Sequence, residues 1–175
     1  MKTLRPALPT DVKEIADKGF LGNISKHEKF ITDGHSMILA SAVRDGFEIK
    51  LPDEGLHRSP ALSGMQTCWD AANDRKTVHA HFIGCGHPGE MESLVAVIRD
   101  DNGRILIVDP YILKFALSSV KGDEVHISEG PKYDVEPLAI FHGLGIVALV
   151  MPMRYTRDDL KKYDLTTDPV DIRTL

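Results

Sequence analysis

Three groups of side chains in this sequence have the types and spacing to do chemistry. The first is His79-Ala80-His81-Phe82-Ile83-Gly84-Cys85-Gly86-His87. On a strand, His79 and His81 point to the same face, and Cys85 or His87 could swing back from the glycine loop to complete a metal site. Glu90 or Glu92 could then supply a general base. The second group, Gly34-His35-Ser36-Met37, has the outline of a hydrolase nucleophile elbow. That device needs a second small residue two places after the serine, on a strained strand-to-helix turn. Ile38 stands there and no helix follows, so the elbow is set aside. The third group is Met151-Pro152-Met153-Arg154, a soft and adaptable apolar surface suited to varied short peptides. Arg154 offers a fork of donors for backbone carbonyls or a carboxylate. Elsewhere, Gly34 would let a ligand backbone approach closely, and neutral His35 could hydrogen-bond it. A plainer reading makes Val147 to Met153 a core strand interrupted at an edge by proline. Asp100-Asp101-Asn102-Gly103 lacks the glutamate that closes a calcium loop at its twelfth position, and reads as a turn.

The elements that must position these groups follow from pattern. Thr10 caps a short predicted helix within Pro6 to Lys18, with Val12, Ile15 and Ala16 on one face. Glu28 to Val43 reads as two strands around Asp33-Gly34, a dipeptide that tolerates positive φ in a hairpin. Phe47 to Leu51 alternates as a strand. Ser59-Pro60 opens a helix carrying Leu62, Met65, Trp69 and Ala72 at helical spacing, and Asn73-Asp74 ends it. Thr77 to Ile83 is a predicted strand, followed by a loop at Gly84-Cys85-Gly86-His87-Pro88-Gly89. Leu94 to Arg99 and Arg104 to Val108 form a predicted hairpin. Asp109-Pro110 repeats the cap-plus-proline device before a stripe of Ile112, Leu113, Ala116, Leu117 and Val120, which Gly122 closes. Three strands follow, near Glu124 to Ser128, Val135 to Phe141 and Ile146 to Met151. Two strand-helix-strand units side by side predict an α+β domain, with helices on one face of antiparallel sheets.

Composition narrows the function classes. A chain of 175 residues with 42% hydrophobic residues suits one compact domain, or one domain plus a fragment of another, with a core that needs neither disulfides nor a structural metal. A formal charge of −5 argues against coating nucleic acid through bulk charge. Lys13, Lys18, Arg75, Lys76 and Lys114 on the predicted helices face Glu14, Asp17, Asp70 and Asp74, close to balance, and phosphate tracking needs a surplus of cations. Cys68 and Cys85, with no signal-peptide pattern, predict free thiols in a reducing cytoplasm. The longest apolar runs fall short of the ~20 residues that span a bilayer.

Two segments far apart in the chain carry a family resemblance. Ile31-Thr32-Asp33-Gly34-His35-Ser36-Met37 and Val147-Ala148-Leu149-Val150-Met151-Pro152-Met153-Arg154 resemble two walls of one pocket in the bacterial DNA polymerase III beta sliding clamp, a processivity factor. In that family a T-D-G-H hairpin and a terminal V-M-P-M-R strand face each other across a groove that captures short peptide motifs. Ile105-Leu106-Ile107-Val108-Asp109-Pro110-Tyr111-Ile112-Leu113-Lys114-Phe115-Ala116-Leu117 is similar to the strand and helix opening the family's last half-domain. Glu124-Val125-His126-Ile127-Ser128 falls where the family places its next strand. Residues 46–103 are left without an assigned counterpart in the family. The sequence also departs from the pattern: it has room for one domain rather than three, Ser36 replaces an arginine, and 155–175 extend past Arg154.

The resemblance implies a sliding-clamp-like (DNA clamp) domain of strand-helix-three-strand halves over residues 1–154. A hairpin-bearing part would span 1–45 and the last half-domain 104–154, with a C-terminal tail at 155–175. The implied function is non-enzymatic and free of cofactors, acting in DNA replication or repair. Its partners are clamp-binding peptides of DNA polymerases or repair proteins, and contact with DNA rests on the resemblance alone. The expected peptide site comprises Thr32, Gly34, His35, Met37, Val150, Met151, Pro152, Met153 and Arg154. Ring function from so short a chain would require a homo-oligomer. Leu160, Tyr163, Leu165, Val170 and Ile172 predict that part of the tail packs on the body or on a neighbouring subunit near Met151 and Met153. The rival from another class is a small metal-dependent enzyme centred on His79, His81, Cys85 and His87.

Overall fold

The computed structural model describes residues 20–23, 29–32, 34–45, 67–70, 72–73, 76–87, 94–128, 137–155, 160–161 and 163–172. The expected helix at Pro6 to Lys18 and the strand at Phe47 to Leu51 lie outside them.

Among the described residues, nine strands form one antiparallel sheet. In chain order they are β1 (Phe20–Asn23), β2 (Lys29–Thr32), β3 (Ser36–Leu39), β4 (Thr77–Gly86), β5 (Val95–Asp100), β6 (Ile105–Val108), β7 (Glu124–Ser128), β8 (Leu138–His142) and β9 (Gly145–Val150). Their order across the sheet is β1-β2-β3-β9-β8-β7-β4-β5-β6. Helix α1 (Pro110–Ser119) connects β6 to β7. Its start is encoded by the expected cap. The Asp109 carboxylate accepts from the backbone N–H of Tyr111 at 2.8 Å and of Ile112 at 3.1 Å, and Pro110 holds the first helical position. The apolar stripe delivers Leu113 and Ala116 fully into the core, with Leu117 at its margin.

Strand alternation sorts the core into two faces. One face carries Ile38, Phe82, Ile98, Val108, Val125, Ile140 and Val150 against Leu113, Phe115 and Ala116 of α1. The opposite face carries two separate clusters. Phe30, Met37 and Leu149 pack against Trp69 and Ala72 from the helical residues 67–70 and 72–73, while Val95, Val97 and Ile107 pack against Leu160 and Tyr163 from the tail. The two helical elements therefore lie on opposite faces of the sheet, not on one as expected. The physical reason is that β3, β8 and β9 are apolar on both sides, so both faces need a cover.

Two further details depart from the sequence reading. Gly84-Cys85-Gly86, expected as loop, continues β4. The pairing with β5 shifts register between Phe82 and Gly84, and Gly84 sits at φ 133°, a backbone that accommodates a bulge without a side chain. The chain leaving β9 also comes round to the free edge of β6. Pro152 bridges Val108, and the Met153 N–H donates to the Ile107 carbonyl at 2.8 Å. The sheet thus curls so that β9 and β6, five places apart in the order, are linked by the segment that follows β9. No helix among the described residues is long and apolar enough to cross a membrane.

Candidate functional site

The two segments that carry the resemblance meet, as sheet neighbours. β3 pairs antiparallel with β9, Ser36 opposite Val150 and Met37 opposite Leu149. Beyond the strands, the Met151 N–H donates to the His35 carbonyl at 2.7 Å. Direct pairing leaves no space between these backbones, and this decides which side chains can face a ligand. Met37 and Val150 are fully buried, on opposite faces of the sheet. Thr32 is buried as well and is a hairpin staple: its hydroxyl donates to the Ser36 carbonyl and accepts from the Gly34 N–H at 3.0 Å. Thr32, Met37 and Val150 therefore do not contribute side chains to a binding surface. Gly34, at φ 90°, makes the turn geometrically possible. Asp33 lies outside the described residues. Exposed at the seam are His35 and Arg154, with Gly34, Met151, Pro152 and Met153 half-buried. Met151 leans on the Trp69 cluster and Met153 on the tail cluster, so the two methionines belong to different patches.

The tail folds back as expected beside Met153. The Tyr155 hydroxyl donates to the Ile105 carbonyl, and Arg99 donates to the carbonyls of Leu165 and, at 3.2 Å, Thr167. The Val170 N–H then donates to the Phe82 carbonyl at 2.8 Å, occupying the edge of β4 past the end of its pairing with β7. Burial raises the phenol pKa of both Tyr155 and Tyr163 above the ordinary value. The Asp164 carboxyl is held below its usual range by the hydroxyl and N–H of Thr166.

The second chemical group is rearranged relative to its sequence reading. His79 and His81 share the outward face of β4, their rings 4.5 Å apart and edge-to-face. Cys85 does not join them. The bulge after Phe82 turns it into the α1 side of the core, where it is buried. His87 stands exposed beyond the end of β4. The side chain that does join is Asp101, at the hairpin turn between β5 and β6. His81 Nε2 donates to its Oδ1 at 2.8 Å, and His79 Nδ1 lies 3.8 Å from its Oδ2. On the other flank of His79, the register places His126 of β7 directly opposite, with rings 5.4 Å apart. His126 continues the row to Phe141 on β8, at 4.4 Å.

The turn bearing Asp101 is fixed from beneath. Asp100 is buried, and its carboxylate accepts from the N–H groups of Asn102 and Arg104 at 3.0 and 2.7 Å and from Arg104 Nε at 2.6 Å. The same guanidinium donates to the carbonyls of Ser128 and Ile127 on β7. Sequence reading singled out His79 and His81 but missed Asp101 and His126. Both become neighbours only through the pairing of β4 with β5 and β7, and the one available signal was the turn that brings Asp101 back beside β4.

Comparison with protein-family models, with curated proteins and with solved structures returns no match to this chain.

Proposed function

We propose that this protein is a clamp-related peptide-binding module, non-enzymatic, that captures short motifs of replication or repair proteins at the seam where β3 begins and β9 ends. The observation that supports the reading is the hydrogen bond from the Met151 N–H to the His35 carbonyl, which sets the exposed and half-buried residues of the two resembling segments, His35 and Met151 to Arg154, side by side. The strand-helix-three-strand order of β6, α1, β7, β8 and β9 also agrees with the half-domain the resemblance implies. The working residues are His35, Met151, Pro152, Met153 and Arg154, with Gly34 allowing close backbone approach. Half-buried methionines suit apolar anchors of varied shape, and an exposed arginine suits a peptide carbonyl or carboxylate. Assembly into a ring around DNA would need several copies of the chain, and replication or repair is the setting that this reading gives it.

The test is fluorescence anisotropy with a labelled peptide bearing a clamp-binding motif. Saturable binding is expected, weakened at least about tenfold by Arg154→Glu, a loss of about 1.4 kcal/mol. Far-UV circular dichroism should leave that variant indistinguishable from the parent. Anisotropy that stays flat with the parent protein overturns the reading.

A further inference from the structure

We propose a divalent transition-metal site, of the Zn2+ class, formed by His79, His81 and Asp101 on the outward face of β4 and the adjoining β5–β6 turn. It is independent of peptide binding at the seam. Ligand atoms from the three side chains lie within 4.8 Å of one another. Bonds of about 2.0–2.2 Å in tetrahedral geometry require ligand atoms about 3.3–3.5 Å apart. The existing separations of 2.8 and 3.8 Å from Asp101 to the two imidazoles bracket that spacing. A cation seated between His81 Nε2 and Asp101 Oδ1 replaces the proton they now share, and modest side-chain rotations complete the set.

The donor set selects the ion. Two imidazoles with one carboxylate suit zinc and its first-row neighbours, whereas calcium and magnesium prefer oxygen alone. The supports are already in place. Asp101 is carried on a turn locked by the pairing of buried Asp100 with half-exposed Arg104, and its N–H donates to the His79 carbonyl at 3.0 Å. Arg99 is the cross-strand neighbour of His81. Its guanidinium is engaged by the carbonyls of Leu165 and Thr167.

Three protein ligands leave coordination positions open, which distinguishes this arrangement from a closed structural site. The side chains are 41%, 35% and 54% exposed for His79, His81 and Asp101, enough for an ion to enter and for water to complete the sphere. Beside them is a recess of about 240 Å³, walled by Glu124 and by Pro169 to Ile172 of the tail. A small ligand on the ion would therefore meet the tail as well as the sheet.

The experiment uses untagged full-length protein stripped with chelator, then titrated with Co2+ followed by electronic absorption and with Zn2+ followed by calorimetry. One equivalent should bind with imidazole and carboxylate character and without a thiolate charge-transfer band. His79→Ala, His81→Ala and Asp101→Asn should each weaken binding at least about tenfold, by analogy with the cost of disturbing metal-site residues. His87→Ala should leave it unchanged. Absence of stoichiometric binding overturns the proposal, as does a thiolate band implicating Cys85. Binding that survives all three ligand variants but fails in His87→Ala overturns it too.

Discussion

The seam of β3 with β9 and the row across β4, β5 and β7 are both places where distant residues meet, yet they meet in opposite ways. At the seam, pairing draws Thr32, Met37 and Val150 into the interior and leaves a narrow surface at the strand ends. In the row, the same alternation turns His79, His81 and His126 outward, and a hairpin turn adds a carboxylate beside them. Strand pairing is common to the two regions. What differs is the parity of the functional residue types within each strand. A motif can identify which segments come together, but register and parity decide which side chains remain available for chemistry.

One substitution in each region gives the largest expected contrast. Val150→Asp should abolish the cooperative urea transition, because a carboxylate with no partner would sit at a fully buried position. His79→Ala, on the exposed row, should shift stability by no more than about 0.5 kcal/mol. If both substitutions were tolerated, Val150 would not be core and the seam would be open, contrary to the assignment made here.

Next in size is the turn that carries Asp101. Arg104→Ala leaves the buried Asp100 carboxylate without its charged partner, and chemical denaturation should report a loss of about 3 kcal/mol or more. It should also weaken metal binding by the row while sparing peptide binding at the seam. Equal damage to both activities would mean that the variant acts through global destabilisation.

Much of this fold was legible in the sequence. The Asp109-Pro110 cap, the β5–β6 hairpin and the three strands after α1 fall within a few residues of where pattern placed them, because cap, turn and alternation are local signals. Cys85 was not legible. A bulge is a property of two paired strands, and the one at Ile83 reverses the parity that would have aimed the thiol toward the histidines. The burial of Met37 had the same cause. Nothing within its own segment says that β9 lies alongside, or that Trp69 and Ala72 cover its face of the sheet.

The tail borders both regions, and its two tyrosines sharpen the distinction on a smaller scale. Tyr155→Phe removes a hydroxyl that donates to Ile105, and should cost about 1 kcal/mol in thermal or urea unfolding. The Tyr163 hydroxyl is buried and finds no hydrogen-bond partner among the described residues, so Tyr163→Phe should be neutral or slightly stabilising. Burial raises both phenol pKa values in the folded state above the ordinary value of 10.0. The folded form therefore holds these protons more tightly than the unfolded chain. Their contribution is complete below about pH 10 and is lost as pH rises through the raised values. Tail packing should loosen in that alkaline window, and the double Phe variant should lose this pH dependence.

Peptide capture at the seam, as proposed, falls to the residues left exposed where β3 begins and β9 ends. Backbone amide chemical-shift mapping during titration with a clamp-binding peptide tests it most directly. The account predicts coincident, saturable shifts at His35, Met151, Met153 and Arg154, with His79, His81 and Asp101 unmoved. Shifts confined to the histidine row, or none at the seam at saturating peptide, would contradict it.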